Sequence, residues 1–220
     1  MNNISLFRKP IHALEQILHL SVVTCVLCGG RSENICCADC QQDFDAISTA
    51  ITSPHPAIDQ VLAAYRFAYP LNHVIHALKY GGTLALAPWL AALLVPRMLL
   101  LQENPVDLVV GMPLHSQRIA LRGFNQSHEI ARYLARRLGV PCKTEVCTRV
   151  FHLPPQVELT GLARRGLPNN LFECRADLDG LHVLLVDDVI TTGASLTRLA
   201  QCMRLHGARR VSAAVVASAI

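Results

Sequence analysis

The apolar run Val183-Leu184-Leu185-Val186 leads directly into two adjacent carboxylates, Asp187 and Asp188. After Val189 and Ile190 comes Thr191-Thr192-Gly193-Ala194-Ser195, a hydroxyl-rich stretch with one glycine, and then a helical pattern. Two chemistries stand side by side here. Paired carboxylates accept hydrogen bonds from a vicinal diol, directly or through a divalent metal such as Mg²⁺. Backbone N–H groups and hydroxyls at a helix start form a nest for a phosphate dianion. Glycine at 193 lets the backbone approach that anion with no side chain in the way. A diol-binding acid pair beside a phosphate nest describes a site for a ribose 5-phosphate. A strand, a solvated turn and a capped helix would explain each element alone, but not the order of all of them.

A second constellation is made of thiols. Cys25-x-x-Cys28 and Cys37-x-x-Cys40 are two pairs with eight residues between them. Each pair presents two thiolates from one tight turn, and two such turns complete a tetrahedron around zinc. Gly29 and Gly30 stand where the first turn must bend. Nothing in the spacing forces a water-activating group into the set, so the zinc is read as structural. Cys36 is an alternative ligand beside Cys37, and the CxxC spacing favours Cys37.

A third is basic. Residues 118–137 hold five arginines and one glutamate. Arg118, Arg122, Asn125 and Gln126 cluster at a loop that enters an amphipathic helix, whereas Arg132, Arg136 and Arg137 fall on that helix's polar face. Arginine forks suit phosphate oxygens. Lys79 is either a remote phosphate contact or a cation closing a helix.

The elements that must hold these residues follow from periodicity. Ile130, Leu134 and Leu138 mark a helix over 126–138, closed by Gly139. VDLVVG at 106–111, HVLLV at 182–186 and VSAAVVA at 211–217 read as buried strands, and 195–206 as a helix ended by Gly207. Strands alternating with helices imply an α/β fold, a parallel sheet flanked by helices on both faces. Ligands of such sheets bind at the carboxyl ends of the strands. Residues 1–20 read as an amphipathic helix, 41–60 as a connector, and 152–172 mostly as loop. Two domains result: 1–60, a helix and zinc knuckle with its connector, and 61–220, the α/β domain.

The chain has 220 residues and is 51% hydrophobic and 16% charged, which supports a sizeable core and excludes a disordered chain. Seventeen of its twenty basic residues are arginine, and the net charge is +4. Nine cysteines, five of them crowded between residues 25 and 40, are an odd count and an uneven spread. That pattern suits a reduced, cytoplasmic protein and not a secreted disulfide scaffold. The first twenty residues lack the unbroken apolar stretch of a signal peptide. The uncharged segment from Gly81 to Pro96 is too short to span a bilayer, so it reads as a buried helix begun by Pro88.

The stretch from Val183 to Ser195 resembles the phosphoribosyl pyrophosphate signature of type I phosphoribosyltransferases. Joined with the CxxC pairs, Lys79-Tyr80-Gly81-Gly82, Met112-Pro113-Leu114 and Arg122-Gly123-Phe124-Asn125-Gln126, it resembles the competence protein F family over about residues 20 to 217. The resemblance implies a type I phosphoribosyltransferase-like domain and a link to natural transformation and use of external DNA. It implies that Gly111-Met112-Pro113 is the loop whose amides hold pyrophosphate, with Met112 and its neighbours the contributors because Pro113 has no N–H. It also places the Arg122 loop over the active site, clamping pyrophosphate or DNA phosphates. Gln156, Leu159, Arg164, Arg165 and Asn169 resemble another family motif, from which Pro168 and Asn170 depart.

Three functions remain open. One is a Mg-dependent phosphoribosyltransferase, in which Asp187 and Asp188 position the ribose and favour its developing positive charge while Thr191–Ser195 anchor the 5-phosphate. The second is a single-stranded DNA-handling protein that keeps the ribose-phosphate site, with Tyr80 and Phe124 as stacking candidates. The third is a metabolite sensor that binds phosphoribosyl pyrophosphate without turnover. No membrane span is expected.

Overall fold

The structure, a computed structural model, describes residues 23–101, 104–151 and 170–219. The helix expected over 1–20 and the motif residues Gln156, Leu159, Arg164, Arg165 and Asn169 lie outside the described residues. Those described fall into two compact units that divide between Ala46 and Ile47.

The first unit is built around its cysteines. Strands β1 (Val23–Thr24) and β2 (Arg31–Ser32) pair antiparallel, and the turn between them carries Cys25 and Cys28. Gly29 adopts φ +71°, the left-handed conformation that this turn needs. Helix α1 (Ala38–Ile47) follows and holds Cys40 in its first turn.

The second unit is a five-stranded sheet. Its strands are β3 (Ser48–His55), β4 (Ile58–Arg66), β5 (Leu108–Gly111), β8 (His182–Ile190) and β9 (Arg210–Ser218), in the order β3-β4-β9-β8-β5. β4, β9, β8 and β5 are mutually parallel, and β3 is an antiparallel edge. A small antiparallel pair, β6 (Cys147–Arg149) and β7 (Phe172–Cys174), stands apart from it. Residues 48–66, of which the first part reads as a connector, are thus a hairpin of the sheet. The division between units consequently falls before residue 60.

Helices cover both faces, because the central strands are apolar on both. Val183 and Leu185 of β8, with Val211, Ala213 and Val215 of β9, pack in one cluster with Leu196, Leu199 and Met203 of α6 (Ala194–Leu205). Alternation sends Leu184 and Val186 to the opposite face, where α3 (Leu86–Met98) and α5 (Gln126–Leu138) lie. In α5 the fully buried Ile130 and Leu134 form the apolar stripe, each stabilising the fold by about 1.5–3 kcal/mol through burial. Asn125 caps this helix and Gly139 closes it at φ +70°. The remaining helices are α2 (Leu71–Gly81) and the short α4 (Ser116–Arg122). No helix among the described residues is long and apolar enough to cross a membrane.

Candidate functional site

The carboxyl ends of the parallel strands place the acid pair. β8 pairs with β5 as far as Val186 opposite Gly111, then continues alone beside β9 through Ile190. Asp187 and Asp188 lie on this overhang, beyond the end of β5. Asp187 Oδ1 accepts from Ser127 Oγ at 2.7 Å and from the Asp188 N–H at 2.9 Å. Both bonds fall on one oxygen. Burial and then the charge of Asp188 raise the Asp187 carboxyl to about 7, against the lowering effects of Ser127 and Lys79.

Asp188 is 3% exposed and forms an ion pair with Lys79 Nζ at 2.8 Å. Lys79, in the last turn of α2, is therefore the counter-ion of the acid pair. The repulsion that two adjacent carboxylates imply is already offset within the chain.

The loop Thr191–Gly193 follows, and α6 begins after it. Gly193 is its N-cap, with φ +71° and no side chain to cap the helix; the Ala194 N–H reaches the Thr192 hydroxyl at 3.5 Å. The need for glycine here has a cause beyond ligand approach. A Cβ at position 193 would lie 2.3 Å from His55 Nε2, because the imidazole rests against the Gly193 backbone. His55 Nδ1 is 2.9 Å from the Thr197 hydroxyl, which donates to Gly193 O at 3.0 Å, and Nε2 is 3.3 Å from Thr192 O. His55, at the end of β3, clamps the phosphate-type loop from a position 138 residues earlier in the chain. Sequence reasoning missed it, since no local pattern marks it.

The segment Arg122–Gln126 is a tight link between α4 and α5. Gly123 takes φ +83° and its N–H donates to Ile119 O. Asn125, 5% exposed, accepts from the N–H groups of Ser127 and His128 and donates from Nδ2 to Met112 O at 2.9 Å. Gln126, 4% exposed, accepts a short hydrogen bond from Arg122 Nη1. Asn125 and Gln126 thus hold the loop's shape.

Met112 differs from expectation in the same way: its N–H donates to Val186 O at 2.8 Å, within the strand ladder, and its side chain is buried. Gly111 is required just before it. A Cβ there would lie 2.7 Å from Ser127 O and His128 Cδ2, so its absence lets α5 start against the end of β5. Ser127 reaches Asp187 through this close approach. The residue directly follows Asn125-Gln126, and its place in the first turn of a capped helix was the available signal.

Arg122 lies over the Tyr80 ring, 5.4 Å from its centroid. Arg118 is half-buried one turn earlier on α4. A further cation, Arg149 on β6, was missed by sequence reasoning. Burial, then the charge of Arg118, lowers its pKa, while Asp187 raises it, so the two guanidiniums and the carboxylate share one field.

The first unit holds the thiol site. The ligand atoms of Cys25, Cys28, Cys37 and Cys40 all lie within 4.8 Å of one another, a set that could hold a metal ion. N–H groups of Gly30 and Cys37 point at the sulfurs of Cys28 and Cys25, both at 3.4 Å. Burial pushes the Cys25 thiol up, but backbone hydrogen bonds from Cys28, Cys37 and Leu27 outweigh it and bring it to about 6. Cys36 stands outside the set. Its thiol donates to Cys37 O at 3.6 Å, and burial pushes it up to about 12.

The chain is similar to several known proteins. The phosphoribosyl transferase domain family matches residues 124–220, which contain the acid pair and the loop. DNA utilization protein YhgH of Salmonella typhi is 32% identical over 160 residues, covering 71% of this chain and 70% of that protein. Competence protein F of Haemophilus influenzae is 28% identical over 165 residues, covering 71% of each. Among solved structures, the purine phosphoribosyltransferase from Pyrococcus horikoshii aligns over 59% of this chain and 73% of its own, with 20% identity and a TM-score of 0.39.

Proposed function

Because this chain belongs to the competence protein F family of phosphoribosyltransferase-like proteins, we propose that it binds phosphoribosyl pyrophosphate at the carboxyl end of its sheet. One observation supports the reading: the acid pair lies on the β8 overhang, and the loop that starts α6 follows directly from that strand end.

In this reading Asp187 Oδ2 accepts from a ribose hydroxyl, and Ser127 and the Asp188 N–H hold the carboxylate in place. Asp188 and Lys79 fix each other through their ion pair. The Thr191–Ser195 amides and hydroxyls take the 5-phosphate, on a loop that His55 holds from behind. Arg118, Arg122 and Arg149 supply positive potential for the diphosphate. Mg²⁺ fits the donor set, with Asp187 as its carboxylate ligand; when bound it would neutralise charge on the leaving pyrophosphate. The negative charge of Asp187 favours the positive charge that develops on the ribose as that bond breaks.

The four cysteines fit zinc, with Cys25, Cys28, Cys37 and Cys40 as thiolate ligands and a structural role for the metal. Such a cluster suits a reducing compartment, and we place the protein in the cytoplasm. We also carry to this chain the link to competence and DNA use that its relatives' names express.

Titration calorimetry with phosphoribosyl pyrophosphate, with and without Mg²⁺, tests the reading. Saturable binding that Asp187→Asn abolishes is expected; binding that survives the substitution refutes the site. Pyrophosphate release against a panel of bases and nucleotides then separates turnover from sensing.

A further inference from the structure

Five of the nine cysteines belong to the first unit, and three of the other four meet in the second. Strands β6 and β7 pair with Cys147 directly opposite Cys174. The Arg175 N–H donates to Val146 O at 3.0 Å, so ladder hydrogen bonds flank this pair and do not join it. Opposed residues of that kind have Cα atoms about 4.5 Å apart. That falls within the roughly 4.4–6.8 Å that a disulfide spans. The next pair on the same face is Arg149 and Phe172, with the guanidinium over the ring.

Cys202 arrives from α6. It packs against the core cluster that contains Cys147 and Cys174, and its thiol donates to Phe172 O at 3.6 Å. The Cys147 thiol shares hydrogen bonds with the thiols of both Cys174 and Cys202. All three are free. Cys147 is 1% and Cys174 6% exposed, whereas Cys202 is half-buried and lines a surface cleft with Phe172, Cys174 and His206. A buried cysteine packs as a small apolar residue, which accounts for any one of them. It does not account for three converging sulfurs, two in register for a bond and the third open to solution.

We propose that Cys147, Cys174 and Cys202 form a thiol–disulfide exchange site, in which Cys202 reacts with a low-molecular-weight disulfide and Cys147 and Cys174 end as a cross-strand disulfide. The Cys202 thiolate attacks one sulfur of the small disulfide, forming a mixed disulfide and releasing one small thiol. Cys147 then attacks the Cys202 sulfur, and the second small thiol leaves. Cys174 attacks Cys147, which forms the cross-strand bond and returns Cys202 as a thiol. The proton lost by each attacking thiol goes to the thiolate that leaves. Two cysteine thiols are oxidised, and one small disulfide is reduced to two thiols. Burial raises the Cys147 and Cys202 thiols, so exchange is slow at neutral pH. In a reducing compartment the three stay thiols until oxidised small thiols accumulate. The bond would then close the 26 residues between Cys147 and Cys174 into a loop and fix the strand that carries Arg149. This site does not depend on the phosphoribosyl pyrophosphate reading.

The test incubates the full, zinc-loaded chain with oxidised glutathione at about pH 8. The remaining thiols are alkylated and tryptic peptides are mapped by mass spectrometry. The expected product joins peptide 144–149 to peptide 166–175, after a glutathione adduct on peptide 199–204 has risen and fallen. Cys202→Ser should form the same bond at least roughly tenfold more slowly. The oxidised original chain should melt several degrees above the reduced one, a rise that Cys174→Ser should lack. Absence of the 144–149 to 166–175 link in the original chain overturns the site, whatever the variants do. An unchanged rate in Cys202→Ser overturns the entry role, and a final product that retains Cys202 in the bond overturns the assigned pair.

Discussion

Neutralising the two neighbouring acids one at a time should move stability in opposite directions. In Asp187→Asn the side chain keeps an oxygen that accepts from Ser127 Oγ and the Asp188 N–H, but it no longer carries charge. The Asp187 carboxyl stands at about 7 in the folded chain against an ordinary 3.8. The folded value is the higher one, so the protonated acid stabilises the fold fully below pH 3.8, and that contribution is lost as pH rises through about 7. Each tenfold change in proton affinity is worth about 1.4 kcal/mol, which sets a ceiling of roughly 4 kcal/mol at pH 8. Partial solvent screening brings the expected gain from Asp187→Asn to roughly 1–3 kcal/mol. At pH 5 that gain should fall below half. Asp188→Asn instead strands Lys79 from its 2.8 Å partner. The Asp188 side chain is 5% exposed and that of Lys79 22%, so the lysine partly rehydrates, and the loss should be roughly 1–3 kcal/mol. Urea denaturation in Mg-free buffer at pH 8 and pH 5 measures both. Shifts of the same sign at pH 8, or a gain in Asp187→Asn that ignores pH, would refute the electrostatic assignment.

Gly193→Ala should destabilise the chain by roughly 2–4 kcal/mol, from the left-handed backbone and from collision with His55. In a His55→Ala background only the backbone cost remains, so a double-mutant cycle should show coupling of about 1–3 kcal/mol; strict additivity would mean that the imidazole does not rest on the loop. Asn125→Ala loses a helix cap and the bond to Met112 O, and calorimetric melting should register roughly 2 kcal/mol of destabilisation. Metal analysis should find one zinc per chain in the original and in Cys36→Ser, and none in Cys37→Ser. The reverse pattern would exchange the ligand and the bystander.

The bounds of α5 were legible because caps and stripe agree: Asn125 and Gly139 bracket Ile130 and Leu134. β8 was expected to stop at Val186, where the apolar run meets two acids, yet it continues to Ile190. Its neighbour β9 supplies partners as far as Ser218, and pairing of that kind has no signature in β8 itself. The hairpin was hidden for a similar reason. Ser48–His55 is polar and contains a proline, and only its partner β4 makes it a strand, at an edge where proline is tolerated. The acid pair and the loop that follows it lie together at the end of β8 because their order along the chain is their order in space. Asn125, Gln126 and Met112 looked ligand-facing by type, but burial turns each to backbone or neighbour. Lys79, His55 and Arg149 arrive from remote elements, and the contacts they make were beyond any local pattern.

The parallel pairing of β4 with β9 has a consequence for how the chain is made. β4 leaves the ribosome early with Val61–Ala64 almost wholly apolar, and the strand that must lie beside it ends at Ser218. From Arg66 to Ser218, translation at roughly 5–20 residues per second takes about 8–30 s. Through that interval the nascent hairpin offers an unpaired apolar edge, open to any other extended segment nearby. Joining the first strands of the sheet to its last makes folding wait for synthesis, and it exposes the young chain to holdase chaperones and to aggregation until β9 arrives.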